Sequence, residues 1–600
     1  MKVIYSDGVV DQCPEEQELE VIRHSAAHIM AQAIKRLYPE AKFAYGPATE
    51  KGFYYDVDLG EVKLMDADLA VIEDEMRKIV KENLPIKPFI LPRDEAVKLM
   101  EEQGEIYKVE HIADLADGEP ISFYKQGDYI DMCRGPHITY TKALKAFKLT
   151  SISGAYWKND SNNKMLTRIY GTAFASAPEL EEYLQAVEEA KRRDHNKIGR
   201  ELEYFTTVDA VGQGLPIMLP KGARTIQLLQ RFVEDEEQKR GYLLTKTPLM
   251  AKRDLYRISG HWDHYLDGMF VIGDPNDEEK ECFALRPMTC PFQYQVFLNK
   301  MRSYRDLPMR LGETSTLFRN EDSGEMHGLI RVRQFTISEG HIVLRPEQLE
   351  QEFRESLKLA KDMLTAVGLI DDVYYRFSQW DPNRTDKYEG TPQQWNEAQG
   401  LMAKILDNIG INYTVGIDEA AFYGPKLDIQ MKNVHGKEDT LVTIQIDLLL
   451  AKKFGMEYVD VDGEKKTPYI IHRTSLGCYE RTLALLLEKF AGALPTWMAP
   501  EQVRVIPISE RLSAEANNVT EKLIAAGLRA TCDDRGEKMG YRIREAQLEK
   551  IPYMLIIGDK EVENNTVSVR ARNGNDLGAM PLDDFISMII AEVKDKKIDK

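Results

Sequence analysis

Two arginine-bearing segments have the composition that phosphate chemistry requires. The first is Phe318-Arg319-Asn320-Glu321, which a short loop separates from Arg331-Val332-Arg333-Gln334-Phe335. Preorganised guanidinium groups stabilise the negative charge that builds up when a carboxylate attacks the α-phosphate of ATP, and a nearby aromatic face can stack on adenine. From spacing alone, a salt-bridged hairpin on the surface is the more frequent structure for such a sequence.

The second segment, Gly477-Cys478-Tyr479-Glu480-Arg481, follows His472-Arg473 and begins the apolar stretch from Thr482 to Phe490, which predicts a helix. An Arg-x-Glu segment followed by a Gly-x-x-Glu-Arg helix resembles motifs 2 and 3 of the class II aminoacyl-tRNA synthetases. Residues 222–248, a predicted long helix followed by a strand that ends in proline, resemble motif 1 of that class. The resemblance to motif 1 implies a homodimer.

Within that class the chain is similar to the threonyl-tRNA synthetases from about Glu18 to its end. The similarity rests on four long segments in a fixed order, residues 286–291, 327–333, 421–426 and 490–497. It implies an AMP-forming ligase that activates threonine with ATP and Mg²⁺ and transfers it to the 3′ end of tRNA(Thr).

The resemblance also implies a role for each residue of the activation site. Arg319 and Arg481 would hold the α- and γ-phosphates, while Phe335 stacks on adenine and Glu321 helps to read it. Arg331 and Gln445 match further positions of the ATP pocket, and His261 and Lys426 match positions near the tRNA 3′ end and the reacting carbonyl.

Cys290, His341 and His472 lie far apart in the sequence, and on their own each is more often a packed core residue. The resemblance places them where the family binds zinc, one ion per subunit, and three protein ligands leave an open position, as in a catalytic zinc site. Threonine's amino and hydroxyl groups would coordinate the zinc together, so valine, which lacks the hydroxyl, would be rejected. Three further residues are expected in the threonine pocket: Met288, Glu339 and Tyr423.

Serine keeps the hydroxyl and lacks only a methyl group, which supplies only about 1–3 kcal/mol of discrimination. A second, editing site is therefore expected. His24 and His28 lie four residues apart on a predicted helix, and Cys133 and His137 flank Arg-Gly-Pro, which predicts a loop. This pair of motifs, together with residues 161–164 and 171–173, resembles the editing domains of threonyl- and alanyl-tRNA synthetases, and Lys108 matches a further family position. These groups are expected to position water for hydrolysis of seryl-tRNA(Thr), and whether they hold a metal stays open.

The last hundred residues alternate strands and helices, which predicts a compact α/β domain. They resemble the anticodon-binding domain that several class II synthetases share. Four residues match positions that meet anticodon bases, although a solvated charged face is an equal alternative: Lys538, Arg544, Glu561 and Arg570.

These elements predict an α+β multidomain protein with an antiparallel-sheet catalytic core, an α+β editing domain and a C-terminal α/β anticodon-binding domain. The expected divisions are a short N-terminal segment (1–19), an editing domain (20–177), a linker helix (178–203), a catalytic domain (204–497) and an anticodon-binding domain (498–600). Strands are predicted in the catalytic block at residues 243–247, 309–313, 329–336, 341–344 and 441–446.

The composition of the chain limits its class. Six hundred residues exceed one hydrophobic core, and no apolar run reaches the roughly 20 residues that span a bilayer, so we expect no membrane partner. Six scattered cysteines and no signal-peptide pattern indicate reduced thiols and a cytoplasmic location. The net charge of −19 lowers the expectation of a nucleic-acid partner without excluding local basic faces.

Three departures from the family leave other functions open. Only about twenty residues precede the editing motif, so the family's usual N-terminal ubiquitin-like domain is expected to be absent; Ile337 stands where glutamine is common, and Gly536 replaces a usually polar residue. The alternatives are another class II synthetase, a tRNA-sensing paralogue that has lost catalysis, and a stand-alone deacylase. The last would leave about 420 residues idle, and the paralogue would be expected to lack Arg319 or Arg481.

Overall fold

The structure, a computed structural model, describes residues 1–116, 118–119 and 121–598. The chain divides into two compact units, Met1–Glu188 and Glu189–Lys600. Among the helices of the described residues, none has the length and apolarity needed to cross a bilayer. All six cysteines are free thiols, as predicted.

The described residues of the first unit form eleven strands and several helices. Its strands are β1 Lys2–Ile4, β2 Val10–Gln12, β3 Lys42–Phe43, β4 Ala48–Thr49, β5 Gly52–Asp58, β6 Ile86–Leu91, β7 Ile121–Gln126, β8 Tyr129–Met132, β9 His137–Ile138, β10 Ala146–Tyr156 and β11 Met165–Phe174. Its helices are α1 Glu18–Leu37, α2 Asp68–Glu82, α3 Arg93–Glu102, α4 Ile106–Asp114 and α5 Ala177–Arg193, the last of which extends beyond Glu188.

Helix α1 is the centre of this unit. Its middle residues are small or apolar, and Ala26, Ile29, Met30 and Ala33 are fully buried. They pack against the antiparallel sheet β10-β11-β5-β3, to which β4 is added beside β5. Because α1 also contacts β9, the helix that carries His24 and His28 is held beside His137.

The second unit contains the remaining elements. Its strands are β12 Phe205–Thr206, β13 Ile217–Met218, β14 Leu243–Leu244, β15 Met250–Lys252, β16 Val271–Ile272, β17 Phe283–Leu285, β18 Arg302–Ser303, β19 Met309–Phe318, β20 Gln334–Leu344, β21 Val373–Gln379, β22 Tyr413–Ile417, β23 Lys426–Lys432, β24 Glu438–Asp447, β25 Tyr458–Val459, β26 Lys465–Lys466, β27 Tyr469–Cys478, β28 Val503–Pro507, β29 Ala530–Cys532, β30 Tyr553–Ile557, β31 Thr566–Ala571 and β32 Asp576–Pro581. Its helices are α6 His195–Glu201, α7 Pro220–Lys239, α8 Arg253–Ile258, α9 His261–His264, α10 Cys290–Leu298, α11 Leu349–Val367, α12 Pro392–Ile409, α13 Leu450–Lys453, α14 Tyr479–Lys489, α15 Ser513–Ala525, α16 Met539–Leu548, α17 Asp559–Asn564 and α18 Leu582–Lys594.

An eight-stranded sheet with the order β14-β19-β20-β27-β24-β23-β21-β22 forms the framework of this unit. Its two edge pairs, β14 with β19 and β21 with β22, are parallel, and the pairs between them are antiparallel. The predicted α+β class with a mainly antiparallel core sheet is confirmed. Helices α7, α11 and α14 cover its apolar face, where Leu359, Leu364, Leu483 and Leu486 are fully buried.

The register of this sheet aligns four functional candidates in one row. His341 on β20 lies opposite His472 on β27, His472 lies opposite Gln445 on β24, and Gln445 lies opposite Lys426 on β23. Residues directly opposite one another in a sheet project from the same face. The sheet therefore presents these four side chains together, although they are spread over the 131 positions between His341 and His472 in the sequence.

Several predicted elements differ in extent from the structure. The strand predicted at 243–247 is limited to Leu243–Leu244, and the strands predicted at 329–336 and 341–344 belong to one strand, β20. The strand predicted at residues 329–336 begins only at Gln334, because the chain turns at Gly328, which has a φ of +50°, and His327 pairs with Arg331 across that turn. The single linker helix predicted at 178–203 is two helices, α5 and α6, separated at Asp194, whose carboxylate caps α6 by accepting from the backbone N–H of Asn196.

The C-terminal part of this unit has its own five-stranded sheet with the order β29-β28-β30-β31-β32. Strands β28, β29 and β30 are parallel, and helices α15 and α16 pack against β28, as the predicted alternation of strands and helices requires.

Candidate functional site

The second unit contains a cavity of about 460 Å³ over the row of aligned residues. It is lined by most of the residues predicted for activation, namely Arg319, Glu321, Arg331, Phe335, Glu339, Tyr423, Lys426, Gln445, His472 and Arg481. Of the other predicted residues, Met288 packs with Cys290 in an apolar cluster that Tyr423 also contacts.

Arg319 and Phe335 face each other across the hairpin of β19 and β20. The Arg319 guanidinium carbon lies 5.2 Å from the centroid of the Phe335 ring, within the range of a cation–π contact. Among the described residues, the buried Nε of Arg319 has no hydrogen-bond partner. The pair offers a planar cation and an aromatic face to the same part of the cavity.

Arg481 lies in the first turn of α14 and is fixed by two backbone carbonyls. Its Nε donates to the carbonyl of Ile330 at 3.0 Å, and its Nη1 donates to that of Thr440 at 2.6 Å. Glu321 and Arg331 form a neighbouring ion pair, with Nη2 to Oε2 at 2.7 Å. Since carbonyls carry no net charge, the charge of Arg481 stays available for an anion.

Cys290, His341 and His472 form a buried cluster whose ligand atoms all lie within 4.8 Å of one another. His341 donates from Nδ1 to the amide oxygen of Gln293 at 2.6 Å, and His472 Nε2 lies 3.0 Å from Asp447 Oδ2. Each imidazole thus keeps one nitrogen for a ligand, as histidines bound to metals do.

Burial sets the protonation of this cluster. It raises the pKa of the Cys290 thiol well above its ordinary value and lowers the pKa of His341 well below its own. A buried thiolate is therefore unfavourable unless a cation lies beside it. The Nε2 of His341 is buried without a hydrogen-bond partner among the described residues, so the donor set fits a thiophilic divalent cation.

Glu339 lies next to this cluster on β20. Its Oε1 is 3.7 Å from His341 Nε2, and burial raises the pKa of the carboxyl. Its Oε2 is buried without a partner among the described residues. The Tyr423 ring centroid lies 5.0 Å from that of His472, and together these groups form a small polar recess.

His261 and Lys426 have well-defined hydrogen bonds. Ser259 Oγ donates to the carbonyl of Tyr256 and accepts from His261 Nδ1 at 2.7 Å, which leaves Nε2 of His261 as an acceptor. Burial lowers the pKa of His261 to about 3, so the imidazole is neutral. Lys426 donates to the buried Asp428 at 2.7 Å.

The first unit contains a second cavity of about 650 Å³, lined by His24, His28, Lys108 and Cys133 among others. The ring of His137 lies 4.3 Å from that of His24 and 4.2 Å from that of His28, centroid to centroid. The two motifs predicted to act together therefore meet. Burial lowers the pKa of His24 to about 4 and that of His28 and His137 well below the ordinary range, so the three rings are neutral at pH 7.

Cys133 and His137 are joined by a 3.0 Å contact between Sγ and Nε2. Burial raises the pKa of the Cys133 thiol, so the sulfur is a protonated donor rather than a thiolate. Because Nε2 of a neutral His137 accepts from it, Nδ1 donates to Ser25 Oγ at 3.0 Å. The geometry suits a thiol that orients an imidazole and does not suit a nucleophilic thiolate.

Lys108 is nearly fully buried and makes an ion pair with Asp131, Nζ to Oδ1, at 2.8 Å. Its Nζ also donates to the hydroxyl of Tyr55, which in turn donates to Asp131 Oδ2 at 2.6 Å. His28 Nε2 lies 3.6 Å from the same carboxylate. A single carboxylate thus fixes the ammonium group beside the three imidazoles.

The four predicted anticodon residues lie on three elements of the C-terminal sheet domain. Lys538 precedes α16 and Arg544 lies within it, and both are exposed, whereas Arg570 on β31 lies 3.8 Å from Asp576. Glu561 accepts from the N–H of Gly558 and so caps α17. These placements do not test contact with anticodon bases, so the role of the four residues stays a prediction.

Sequence reasoning missed the residues that orient the others. Five residues were not singled out, although each contacts a predicted site residue: Gln293, Asp447, Asp131, Ser25 and Ile330. Asp131 and Ser25 stand within two residues of Cys133 and His24, so proximity was a usable signal for them. Gln293 is three residues after Cys290 on α10, one helical turn away.

Three family models match parts of the chain. Residues 270–490 match the tRNA synthetase class II core domain (G, H, P, S and T), residues 502–592 the anticodon binding domain, and residues 121–170 the threonyl and alanyl tRNA synthetase second additional domain. A crystal structure of the RNA binding domain of threonyl-tRNA synthetase from Cryptosporidium parvum Iowa II has a TM-score of 0.62 and 32% identity, covering 66% of this chain and 98% of that one.

Curated relatives match almost the whole chain. The threonine–tRNA ligase of Clostridium perfringens (strain SM101 / Type A) is 58% identical over 598 residues, which are 99% of this chain and 92% of the relative. That of Geobacillus kaustophilus (strain HTA426) is 46% identical over 599 residues, covering 99% and 91%. With this identity over nearly full length, and with the class II core, editing and anticodon-binding families all present, the chain belongs to the threonyl-tRNA synthetases.

Proposed function

We propose that the chain is a threonine–tRNA ligase that forms threonyl-adenylate, transfers threonine to tRNA(Thr) and hydrolyses seryl-tRNA(Thr). The observation that carries this proposal is the cavity that brings Arg319, Arg481 and Phe335 to the row containing His472. The arginines that can bind phosphate and the candidate metal centre therefore line the same cavity. Adenylate formation requires this arrangement if a metal selects the amino acid.

In the activation step, a threonine carboxylate oxygen attacks the α-phosphorus of ATP, and pyrophosphate leaves with Mg²⁺. Arg319 and Arg481 stabilise the charge that develops on the phosphates because their guanidinium groups are already in place. Phe335 stacks on adenine, while Glu321, Arg331 and Gln445 complete the ATP pocket, all of them lining the cavity.

Threonine is selected by the recess beside this ATP pocket. Cys290, His341 and His472 would hold Zn²⁺, which supplies a Lewis-acid position for an amino and a hydroxyl group together. Glu339 accepts a hydrogen bond from the substrate amino group, because its Oε2 is buried and has no other partner among the described residues. Tyr423 and Met288 close the recess, and valine fails because its methyl group cannot replace the hydroxyl.

In the transfer step, a hydroxyl of the terminal ribose of tRNA attacks the threonyl carbonyl, and AMP leaves. Nε2 of His261 carries no proton and can accept a hydrogen bond from that hydroxyl, which orients the hydroxyl for attack while its proton passes to the phosphate of the departing AMP. Lys426, held by Asp428, supplies positive charge near the adenylate.

Hydrolysis of seryl-tRNA takes place in the cavity of the first unit. The neutral His24 and His28 accept hydrogen bonds from water, and Cys133 orients His137. Lys108, charged and paired with Asp131, stabilises the oxyanion of the tetrahedral intermediate. No thiolate is needed for this reaction, because water is the nucleophile.

The proposal includes a homodimer in the cytoplasm. Strand β14 lies at an edge of the eight-stranded sheet and exposes Leu243 and Leu244, and an exposed apolar edge strand favours pairing with another chain. The proposal also keeps the predicted functional segments, which are residues 1–19, 20–177, 178–203, 204–497 and 498–600. In the last segment, four residues contact the anticodon: Lys538, Arg544, Glu561 and Arg570.

The test is charging of tRNA(Thr) with threonine, serine and valine by the wild type and by Cys133→Ala. Both should accumulate threonyl-tRNA, neither should accumulate valyl-tRNA, and only the variant should accumulate seryl-tRNA. If the wild type charges no threonine, the proposal is wrong. If the variant hydrolyses seryl-tRNA as fast as the wild type, the editing assignment alone is wrong.

A further inference from the structure

A buried histidine outside both cavities joins two parts of the ATP site. His195 lies on α6 with no exposed side-chain surface. Its Nδ1 lies 2.7 Å from Glu488 Oε1 on α14, and the backbone N–H of Leu329 donates to its Nε2 at 3.2 Å. One imidazole thus contacts the helix that carries Arg481 and the turn that carries Arg331.

These two contacts determine the tautomer of His195. A backbone N–H is always a donor, so Nε2 must accept and carries no proton. The proton is then on Nδ1, where it donates to the Glu488 carboxylate. His195 is therefore neutral, and both of its ring nitrogens are satisfied.

The turn held by His195 is part of the ATP site. Ile330 lines the cavity, and its carbonyl accepts from Arg481 Nε at 3.0 Å. Gly328 approaches His195 so closely that a Cβ at this position would lie 2.1 Å from Nε2. Since Leu329 is fully buried between these two residues, the imidazole fixes the position of the carbonyl that holds Arg481.

The other contact fixes the far end of the same helix. Glu488 follows Arg481 by seven residues, which is two helical turns. Its second oxygen accepts from the N–H of Val434 at 3.1 Å, in the connection between β23 and β24. His195 therefore sets the spacing between the turn and α14, and the side chain of Arg481 crosses this space from α14 to the carbonyl of Ile330.

We propose that His195 is a positioning residue for ATP, which holds Ile330 and α14 at the separation at which Arg481 can reach a phosphate. This inference rests on the proposed function, because it assigns a role to His195 within the activation step. The threonine recess is built on α10, β20 and β27 and does not use the Leu329 contact. Loss of His195 should consequently weaken ATP binding selectively.

The experiment is threonine-dependent ATP–pyrophosphate exchange, with ATP and threonine varied separately. His195→Ala leaves a buried N–H and a buried carboxylate without their partner, so the KM for ATP should rise about 10- to 100-fold. The KM for threonine and the metal content should stay within twofold of the wild type. Lys197→Ala, on the exposed side of the same helix, is the matched control and should change neither constant.

Two conservative variants separate the two contacts and remain informative if His195→Ala does not fold. His195→Gln places a carboxamide oxygen near the position of Nε2 and keeps the bond from Leu329. His195→Asn places a carboxamide nitrogen near Nδ1 and keeps the bond to Glu488. The KM for ATP should be lower in the Gln variant than in the Asn variant, because the Leu329 contact acts directly on Arg481.

An unchanged KM for ATP in His195→Ala, or equal increases in both KM values, would overturn the inference and leave the proposed function standing. The same conclusion follows if His195→Gln and His195→Asn have the same KM for ATP. If the wild type itself shows no threonine-dependent exchange, the proposed function fails, and this inference fails with it.

Discussion

Gln293 and His341 are joined by a 2.6 Å hydrogen bond in which the imidazole Nδ1–H donates to the amide oxygen. The amide is itself oriented, since Gln293 Nε2 donates to Thr245 Oγ1 at 2.7 Å. This arrangement fixes the tautomer of His341 and leaves Nε2 as a lone-pair donor within the cluster of Cys290 and His472. The ligand set is thus prepared by α10, which supplies both Cys290 and Gln293.

The first prediction concerns the metal. Cys290→Ser should lose bound zinc and threonine-dependent pyrophosphate exchange together, because a hydroxyl is a far weaker ligand than a thiolate for Zn²⁺. Cys133→Ala, which removes the editing thiol, should keep one zinc per chain and full exchange. Elemental analysis of both purified variants measures this, and one zinc per chain in Cys290→Ser would refute the assignment.

The second prediction concerns Gly477, which lies two residues before the start of α14. It has a φ of +75°, and a Cβ there would lie 1.9 Å from the carbonyl oxygen of Leu441. Gly477→Ala should therefore lower the stability of the second unit by about 3 kcal/mol and reduce activation, since Arg481 depends on the position of this turn.

Gly400→Ala is the matched control for Gly477→Ala. Gly400 lies within α12, and a Cβ there meets nothing within 4 Å, so alanine should stabilise the helix by up to about 1 kcal/mol. Urea midpoints and pyrophosphate exchange are measured for both variants. Similar midpoints in the two would show that the turn at Gly477 can shift without cost.

The sequence was sufficient for those parts of the sites that depend on short-range spacing. His24 and His28 were predicted on one helical face, and Arg-Gly-Pro was predicted to form a loop between Cys133 and His137, as found. The strand predicted at residues 329–336 was wrong because its alternation of apolar and basic residues is typical of a strand, while Gly328 forms a turn and Arg331 is paired with Glu321.

The alignment of His341, His472, Gln445 and Lys426 was not accessible in this way. It depends on the register of four strands, and a shift of one residue in any of them would turn its side chain to the opposite face. The resemblance to the family identified these residues, and only the structure shows that they are aligned across neighbouring strands. Buried partners such as Asp447 and Asp131 were missed for the same reason, because burial is a tertiary property.

The third prediction is a pH dependence in the first unit. Burial lowers the pKa of His24 to about 4, whereas the unfolded chain has a value near 6.5. At pH values between these two pKa values, the unfolded state binds a proton that the folded state does not. The contribution of neutral His24 to folding stability is therefore fully present above pH 6.5 and is lost as the pH decreases towards 4, a total of about 3 kcal/mol.

Hydrogen exchange of the α1 amides, measured at several pH values between 4 and 8, tests this prediction. The wild type should lose protection as the pH decreases below 6.5, and His24→Asn should lose less over the same interval. The shifts of His28 and His137 have the same direction, so a slope remains in the variant. A protection that is independent of pH in the wild type would contradict the neutral state of the cluster.

The fourth prediction separates editing from synthesis at Lys108. Its ion pair with Asp131 is buried, with 7% of the lysine and 1% of the aspartate side chain exposed. Lys108→Met leaves that carboxylate without its cation, which costs about 3–5 kcal/mol in a buried pair, and it removes the charge that we propose stabilises the tetrahedral intermediate. Hydrolysis of seryl-tRNA(Thr) should therefore fall by at least about 100-fold, while threonine-dependent pyrophosphate exchange stays unchanged because the ATP cavity belongs to the second unit.

Lys78→Met, which breaks an exposed pair with Glu75 on α2, should alter neither activity, since such pairs contribute about 0–1 kcal/mol. Equal hydrolysis by the two variants would mean that Lys108 supports only the fold of the first unit, and the oxyanion would then need another donor.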